Sequence, residues 1–241
     1  MKISVIIPAY NEAKLIIATL ECIGASTAAF TNLGWSVEII VCDNNSTDDT
    51  AELARAAGAK VVFEPINQIS RARNAGARAA TGDWLIFVDA DSHPSPGLFA
   101  SVAEVIRGGR VLAGGSTVRI AENYLVPRLA VGGWNLLSRF RKWAAGSFIF
   151  CEAEAFRQIG GFSTELFVSE EIDLSKRLLT LARQRGKRMI ILTRHPIVTS
   201  VRKLHLYTVR EHLGFLARLV CQRGRPMKSR EECAIWYDGR R

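Results

Sequence analysis

Four short apolar runs in the first 90 residues constrain the fold more than any other feature of the chain. They are rich in β-branched residues and lie at 3–7, 37–41, 61–63 and 84–88. Such runs are typical of strands buried on both faces of a parallel sheet. Stretches with helical spacing separate them, giving the order β-α-β-α-β-α-β. This alternation predicts an α/β fold with a Rossmann-like, mostly parallel sheet flanked by helices, whose ligand site lies at the carboxyl ends of the strands.

Residues that favour helix ends give the expected bounds of the first helices. Asn11 is the expected N-cap of a helix with apolar positions from Leu15 to Ile23. Ser46 and Asp49 form a capping-box pattern before a helix over 50–57. In the less regular second half, a further helix and two strands are expected. These are a helix over 170–184 capped by Ser169, and strands at 189–192 and 197–201.

The basic charge of the chain is concentrated near its C-terminal end. The formal net charge is +9, and residues 201–241 hold ten basic and four acidic side chains. This distribution argues against a nucleic-acid-binding core and fits contact with an anionic membrane surface. Residues 207–222 place apolar side chains on one helical face, as in a helix that lies on a membrane or packs on protein. We expect one domain over 1–203 with a basic, amphipathic helical appendage over 204–241.

The cysteines and apolar segments indicate the cellular environment. Five scattered cysteines form no C-x-x-C pair, which predicts reduced thiols rather than zinc or disulfide chemistry. The N-terminal apolar run is too short for a signal peptide, and no run of about 18 apolar residues is present. We therefore expect a cytoplasmic protein that can lie peripherally on the inner face of the cell membrane. The oligomeric state is left open.

Two carboxylates follow the fourth apolar run. Asp89 and Asp91 come directly after the run at 84–88. Residues two apart share a face in extended chain, and one or two protein carboxylates usually suffice to hold Mg²⁺ beside substrate phosphates. A polar turn after a strand is the alternative. Because the pair follows a wholly apolar strand, it favours a metal bound to a diphosphate.

Polar loops follow the first two strands and are expected at the same edge of the sheet. Tyr10 is suited to cover the face of a base, and Asp43 to accept hydrogen bonds from a base or ribose. Helix capping is the alternative role for Asn11, Ser46 and Asp49. It does not explain Asp43, which precedes the cap.

A series of ordered motifs resembles the family 2 glycosyltransferases. The motifs are VIIPAYNE at 5–12, DNNSTD at 43–48, RNAG at 73–76, DAD at 89–91, GGF at 160–162 and EEIDL at 170–174. The resemblance covers about 3–203. It implies a glycosyltransferase A-type fold, a nucleotide-diphosphate sugar donor, a divalent metal (Mn²⁺ or Mg²⁺) and inversion at the anomeric carbon.

The resemblance also implies roles for individual residues, with a nucleotide-binding half over 1–92 and an acceptor-binding half over 93–203. The residues expected at the nucleotide are Pro8, Ala9, Tyr10, Glu12, Asp43, Arg71, Arg73, Asn74 and Asp89. Arg202 is expected to clamp the diphosphate, because a guanidinium offers two donors to phosphate oxygens. The expected metal ligands are Asp91 and Asp89. Those expected at the acceptor are Gly146, Ser147, Phe148 and Glu170.

A direct displacement needs a base for the acceptor hydroxyl, and the expected base is Glu171. Members of the family have an aspartate at the matching position, so this side chain is one methylene longer. Asp173 is a second candidate catalytic residue. The alternative is that these acids favour the positive end of a helix, with Asp173 pairing with Arg177 at i+4.

Two further features leave alternatives open. His195 or His205 is a candidate metal ligand, although a lone histidine more often packs against protein. Trp134, Phe140 and Trp143 lie among basic residues and suit either a lipid-facing patch or a lid over the acceptor.

The sequence as a whole predicts a metal-dependent inverting glycosyltransferase, with a UDP-sugar as the expected donor and a carbohydrate or lipid-linked acceptor. One alternative is a nucleotidyltransferase, which would release pyrophosphate. Another is a non-catalytic protein that binds nucleotide sugars or acts as a membrane scaffold. No nucleic-acid partner is expected.

Overall fold

The computed structural model of the protein describes residues 1–121 and 125–200. Arg202, His205 and the appendage expected over 204–241 lie outside these residues, so their roles stay predictions. Within the two described ranges, no helix combines the length and hydropathy needed to cross a bilayer.

Eight strands form one sheet in the described part of the chain. They are β1 (Lys2–Ala9), β2 (Ser36–Asp43), β3 (Lys60–Phe63), β4 (Trp84–Val88), β5 (Ser92–His93), β6 (Val111–Ile120), β7 (Phe148–Glu152) and β8 (Arg188–Thr199). Their order across the sheet is β3-β2-β1-β4-β7-β6-β8-β5. Strands β1 to β4 pair in parallel, as do β6 and β8, whereas β7 runs antiparallel to both β4 and β6. The predicted α/β fold is confirmed, although the strands expected at 189–192 and 197–201 are one strand, β8.

Helices cover both faces of the sheet. They are α1 (Ile16–Ser26), α2 (Ala28–Thr31), α3 (Thr50–Ala56), α4 (Ile69–Ala79), α5 (Pro96–Arg107), α6 (Leu125–Arg141), α7 (Ala153–Gln158) and α8 (Glu170–Gln184). One apolar core includes residues of α1, α2, α3 and α5, and a second includes residues of α4, α7 and α8. Adjacent strand residues enter different cores, as Val5 and Ile6 do, because side chains alternate across a strand. Burial on both faces explains the apolar runs.

The polar loops after β1 and β2 hydrogen-bond to each other. The helix after β1 begins at Ile16 with Leu15 at its N-cap, so the expected Asn11 cap is wrong. Asn11 has a φ of 53°, and its Oδ1 accepts a hydrogen bond from the Thr47 N–H at 2.8 Å. The Ser46 hydroxyl in turn accepts from the Asn11 N–H at 3.0 Å. These bonds tie the two strand ends together.

The start of α3 differs from the expected capping box. Asp49 is at the N-cap position but makes no side-chain cap bond. Asp48 takes that role, since its Oδ1 accepts from the Thr50 N–H at 3.1 Å. The helix over Glu170–Gln184 is confirmed with Ser169 at its N-cap, although the Ser169 side chain makes no cap bond and its φ is 64°.

Helix α4 lies unusually close to β1. A Cβ on Gly76 would lie 2.4 Å from Cγ2 of Ile6, so only glycine allows this approach. The close packing places the preceding turn of α4, with Arg73, over the carboxyl end of the sheet.

Candidate active site

A pocket opens at the carboxyl ends of β1 and β4. The segments that line it lie next to the ends of strands or the starts of helices. The lining side chains with functional predictions are Pro8, Ala9, Tyr10 and Glu12 after β1; Asp89 and Asp91 after β4; Gly146 and Ser147 before β7; and Glu170 and Glu171 at the start of α8. The pocket therefore brings together most of the residues predicted from sequence to bind donor, metal and acceptor.

The antiparallel pairing of β7 with β4 brings two of these segments into contact. Val88 at the end of β4 lies opposite Phe148 at the start of β7. One residue farther on, the Asp89 N–H donates to the Ser147 carbonyl at 3.4 Å. The loop that follows β4 and the loop that precedes β7 thus form adjoining walls of the pocket.

The Arg73 side chain hydrogen-bonds to three segments of the pocket lining. Its side chain is 1% exposed and lies 5.1 Å from the centroid of the Phe162 ring. Its Nη1 donates to Glu170 Oε1 at 2.7 Å, and its Nη2 donates to Asp89 Oδ1 at 2.8 Å and to the Gly146 carbonyl at 3.0 Å. A buried charge is tolerated only when it is paired and hydrogen-bonded. The guanidinium therefore fixes the carboxyl end of β4, the first turn of α8 and the Gly146 loop relative to one another.

The surroundings of Glu171 disfavour its negative charge. Burial raises the pKa of Glu171 to about 8, and the negative charges of Glu170 and Asp89 act in the same direction. Arg73 opposes the rise, but its guanidinium hydrogen-bonds to Glu170 and Asp89. A carboxylate whose pKa lies close to neutral pH is suited to accept a proton in catalysis.

The raised pKa predicts how stability depends on pH. Between the ordinary value of 4.5 and about 8, folded Glu171 holds a proton that the unfolded chain has released. The free energy of unfolding is therefore expected to fall as pH rises through this window. Urea denaturation at a series of pH values measures the fall, and Glu171→Gln should flatten it. An equal slope in both proteins would contradict the burial of this acid.

Some predicted residues lie outside the pocket lining because their side chains bind other parts of the fold. Asn74, expected at the nucleotide, is one of them: its Nδ2 donates to the Phe162 carbonyl at 2.8 Å and its Oδ1 accepts from the Phe162 N–H at 2.9 Å. Arg71 donates from Nε to Gln68 Oε1 at 3.0 Å. Asp43 accepts from the Ser46 N–H at 3.1 Å, so it stabilises its own loop behind the lining.

Two residues predicted for the site in the second half of the chain also lie outside the lining. Phe148 is fully buried among core rings, including Phe99 and Phe150, and does not line the pocket. Asp173 is not part of the pocket lining, and it accepts from Arg177 Nη2 at 2.6 Å. The alternative of an i+4 ion pair is therefore confirmed for Asp173. Its catalytic role stays a prediction.

Sequence reasoning missed several lining residues. They are Asn44, Asn67, Ile69 and the 167–169 loop that leads into α8. Asn44 is adjacent to the predicted Asp43, so its position after β2 was an available signal. The 167–169 loop has no comparable motif. His195 does not line the pocket; it packs against Gly97 in the first turn of α5.

The acids that line the pocket suit a divalent cation whose ligands come partly from the protein and partly from a substrate. No group of three or more His, Cys, Asp and Glu side chains in residues 1–121 and 125–200 is arranged to hold a metal. Asp89 and Asp91 nevertheless both line the pocket. Mg²⁺ commonly binds one or two carboxylates and takes its other ligands from phosphate and water. These two side chains therefore suit a cation that arrives with a diphosphate.

Curated relatives of the chain are named glycosyltransferases. An uncharacterized glycosyltransferase of Mycobacterium tuberculosis is 37% identical over 113 residues, which cover 46% of this chain and 47% of that protein. Dolichol-phosphate mannosyltransferase of Pyrococcus furiosus is 32% identical over 121 residues, or 48% of this chain and 33% of the relative. The match thus spans about half the length of the curated relatives or less.

Solved structures with the same fold include two described with nucleotide sugars. A mannosyltransferase from Pyrobaculum calidifontis, in complex with GDP-Man and Mn²⁺, has a TM-score of 0.67 at 24% identity, covering 90% of this chain and 64% of that one. S. aureus TarS 1-349, in complex with UDP-GlcNAc, has a TM-score of 0.66 at 22% identity, covering 92% and 66%. These similarities confirm the glycosyltransferase A-type fold.

The family resemblance seen in the sequence motifs is confirmed over most of the chain. The sequence model described as "Glycosyl transferase family 2" matches residues 4–157. This range contains the loop after β1, both aspartates after β4 and Arg73. The chain belongs to glycosyl transferase family 2.

Proposed function

We propose that the protein is a metal-dependent inverting glycosyltransferase, which moves a sugar from a nucleotide-diphosphate sugar to an acceptor hydroxyl. The observation that carries this proposal is the pocket that Asp89, Asp91 and Glu171 line together with the loop after β1. A displacement needs stabilisation of the leaving diphosphate and a base for the incoming hydroxyl. The pocket contains acids suited to both tasks.

The donor is the part of the proposal that the relatives support most directly. Solved structures of this fold were obtained with GDP-Man or with UDP-GlcNAc. A nucleotide-diphosphate sugar is therefore the expected donor class, and a UDP-sugar stays our expectation within it. We assign the nucleotide to residues 1–92 and the acceptor to residues 93–203. Tyr10 supplies a ring that can cover the base.

We assign the cation to Asp91 and Asp89. When bound, a divalent cation stabilises the negative charge that develops on the leaving diphosphate. Arg73 holds Asp89 through Oδ1 at 2.8 Å, so the orientation of this carboxylate is fixed before substrate arrives. Such preorganisation lowers the cost of reorganising charges during the reaction.

We assign the base to Glu171. The acceptor oxygen attacks the anomeric carbon while Glu171 takes the hydroxyl proton, and the bond between that carbon and the diphosphate oxygen breaks. The bonding electron pair leaves with the nucleoside diphosphate, so attack from the opposite face inverts the configuration. Glu170 is held by Arg73 at 2.7 Å and anchors the first turn of α8 beside the base.

Asp91→Asn is expected to abolish the metal-dependent part of donor binding. A ligand that binds only the folded state raises the apparent melting temperature, so a panel of UDP-, GDP- and dTDP-sugars with and without Mn²⁺ measures it. The wild type should show a Mn²⁺-dependent shift with one nucleotide, and Asp91→Asn should not. The matched control is Asp49→Asn, since Asp49 is exposed and makes no cap bond.

The same samples test the type of reaction. Release of a nucleoside diphosphate in the presence of acceptor supports the proposal, whereas release of pyrophosphate would contradict it. A Mn²⁺-dependent shift that Asp91→Asn retains would reject the assigned cation ligand.

A further inference from the structure

The outward face of α6 carries a stripe of apolar side chains. Leu129, Leu136 and Phe140 are 68%, 69% and 80% exposed. At about 100° per residue, spacings of seven and four place these three side chains on one side of the helix. Exposed Gly132 and Gly133 lie on the same side, which leaves the stripe open along its length.

The opposite side of α6 fixes the helix to the body of the protein. The Asn135 side chain accepts from the Val118 N–H and donates to the Val118 carbonyl, both at 2.9 Å. The buried Ser138 hydroxyl donates to the Trp143 carbonyl at 2.6 Å. The outward direction of the apolar stripe is therefore set by specific bonds to β6 and to the chain after α6.

Basic side chains border the stripe, and acidic ones are missing from it. Residues 127–142 contain four basic and no acidic residues. The helical spacing places Arg128 and Arg139 along one border and Arg141 along the other. The positive edge continues onto α8, where Lys176 lies 5.2 Å from the Trp143 ring centroid.

The number of exposed apolar side chains on α6 distinguishes this helix from the rest of the described surface. Four of the eight exposed large hydrophobic side chains of the described residues, Leu129, Leu136, Leu137 and Phe140, lie on α6. Scattered exposed apolar residues are normal in soluble proteins, but a contiguous patch usually marks an interaction surface.

We propose that this face of α6 docks onto an anionic membrane surface. The apolar stripe enters the boundary between headgroups and acyl chains, and the arginines at its borders contact lipid phosphates. The basic borders of the stripe favour an anionic membrane over packing by residues 201–241 of the same chain, because that segment is itself strongly basic. It also disfavours pairing with a second copy of α6, which would bring like charges together.

The position of α6 gives the docking a consequence for the pocket. The chain leaves the helix at Arg141 and reaches Gly146 and Ser147 in the pocket wall within a few residues. A docked helix would hold this wall close to the lipid headgroups. This step rests on the proposed function, and it favours an acceptor hydroxyl on a lipid-linked molecule.

Vesicle flotation of the full chain tests the docking surface. The probe is a vesicle of phosphatidylcholine with about one-third phosphatidylglycerol, compared with phosphatidylcholine alone. The wild type should bind the anionic vesicles, and the double variant Leu136→Ser/Phe140→Ser should lower the partition coefficient by about tenfold or more. Arg139→Glu should weaken binding to anionic vesicles most at low salt. The matched control is Phe63→Ser, which removes a 60% exposed ring from β3.

Three outcomes would overturn the proposal. One is unchanged vesicle binding by the folded α6 variants, which would assign binding to another segment. Another is an equal loss with Phe63→Ser. The third is a wild type that does not bind vesicles but forms a dimer, which Phe140→Ser dissociates. The α6 variants should keep the donor-dependent thermal shift, so a failure of docking is distinguishable from a failure of the proposed activity.

Discussion

Glu171→Gln is expected to lower the turnover rate by about a hundredfold to ten-thousandfold while leaving donor binding intact. Glutamine keeps the size of the side chain but cannot take the proton from the acceptor hydroxyl. Because Asp89 and Asp91, and not Glu171, are the assigned cation ligands in the pocket, the Mn²⁺-dependent thermal shift should persist. Steady-state rates of nucleoside diphosphate release measure the loss.

The pH profile and two controls make this test specific. Since the pKa of Glu171 is raised to about 8, the wild-type rate should rise with pH towards that value, and the variant should lose this limb. Glu104→Gln changes an exposed acid on α5 and should leave the rate unchanged. Asp173→Asn should have little effect, because Asp173 pairs with Arg177. Near-normal turnover by Glu171→Gln would assign the base to another group.

Arg73→Met is expected to lower the free energy of unfolding by about 3–5 kcal/mol, because it leaves buried acids without their counter-charge. The Glu170 side chain is only 6% exposed and cannot recover its lost hydrogen bond from water. Asp89 is more accessible, so Glu170 should account for most of the loss. Urea or guanidinium denaturation at neutral pH measures the change.

A second substitution separates lost charge pairing from lost packing. Adding Glu170→Gln to Arg73→Met removes the stranded charge and should recover part of the stability. Arg78→Met serves as the matched control, since Arg78 is an exposed arginine on the same helix whose ion pair spans 3.7 Å. A loss no larger than that of the control would show that the buried ion pairs contribute little to the fold.

The predicted residues that do line the pocket include those whose position follows from a strand end. Asp89 and Asp91 come directly after β4, and the 8–12 loop comes directly after β1, so the topology places both in one crevice. The strands themselves were predictable because burial on both faces removes nearly every polar residue from their sequences.

The predicted residues that do not line the pocket differ from those that do in side-chain direction, which the motifs do not specify. Arg73 and Asn74 are neighbours on α4, and successive residues point about 100° apart on a helix. Only Arg73 lines the pocket, while Asn74 bonds to Phe162. Ser147 and Phe148 are likewise adjacent, but the first lines the pocket and the second enters the core as β7 begins.

The Asn11 prediction failed for a different reason. A polar residue before a helical pattern can bond either to its own helix or to a distant loop, and local sequence does not separate the two. Asn11 bonds to Thr47 on the loop after β2. Contacts across 36 positions become visible only when the strands are assembled.

The antiparallel strand β7 limits how acceptor preference can be re-engineered. Its ladder with β4, from Trp84 opposite Glu152 to Val88 opposite Phe148, joins the two proposed substrate sides within a single sheet. A chimera that exchanges the chain after residue 92 for that of a relative would therefore replace a central strand as well as a binding surface. Successful grafts should retain the native β7 and vary the loops around it, so that new acceptors are recruited without rebuilding the core.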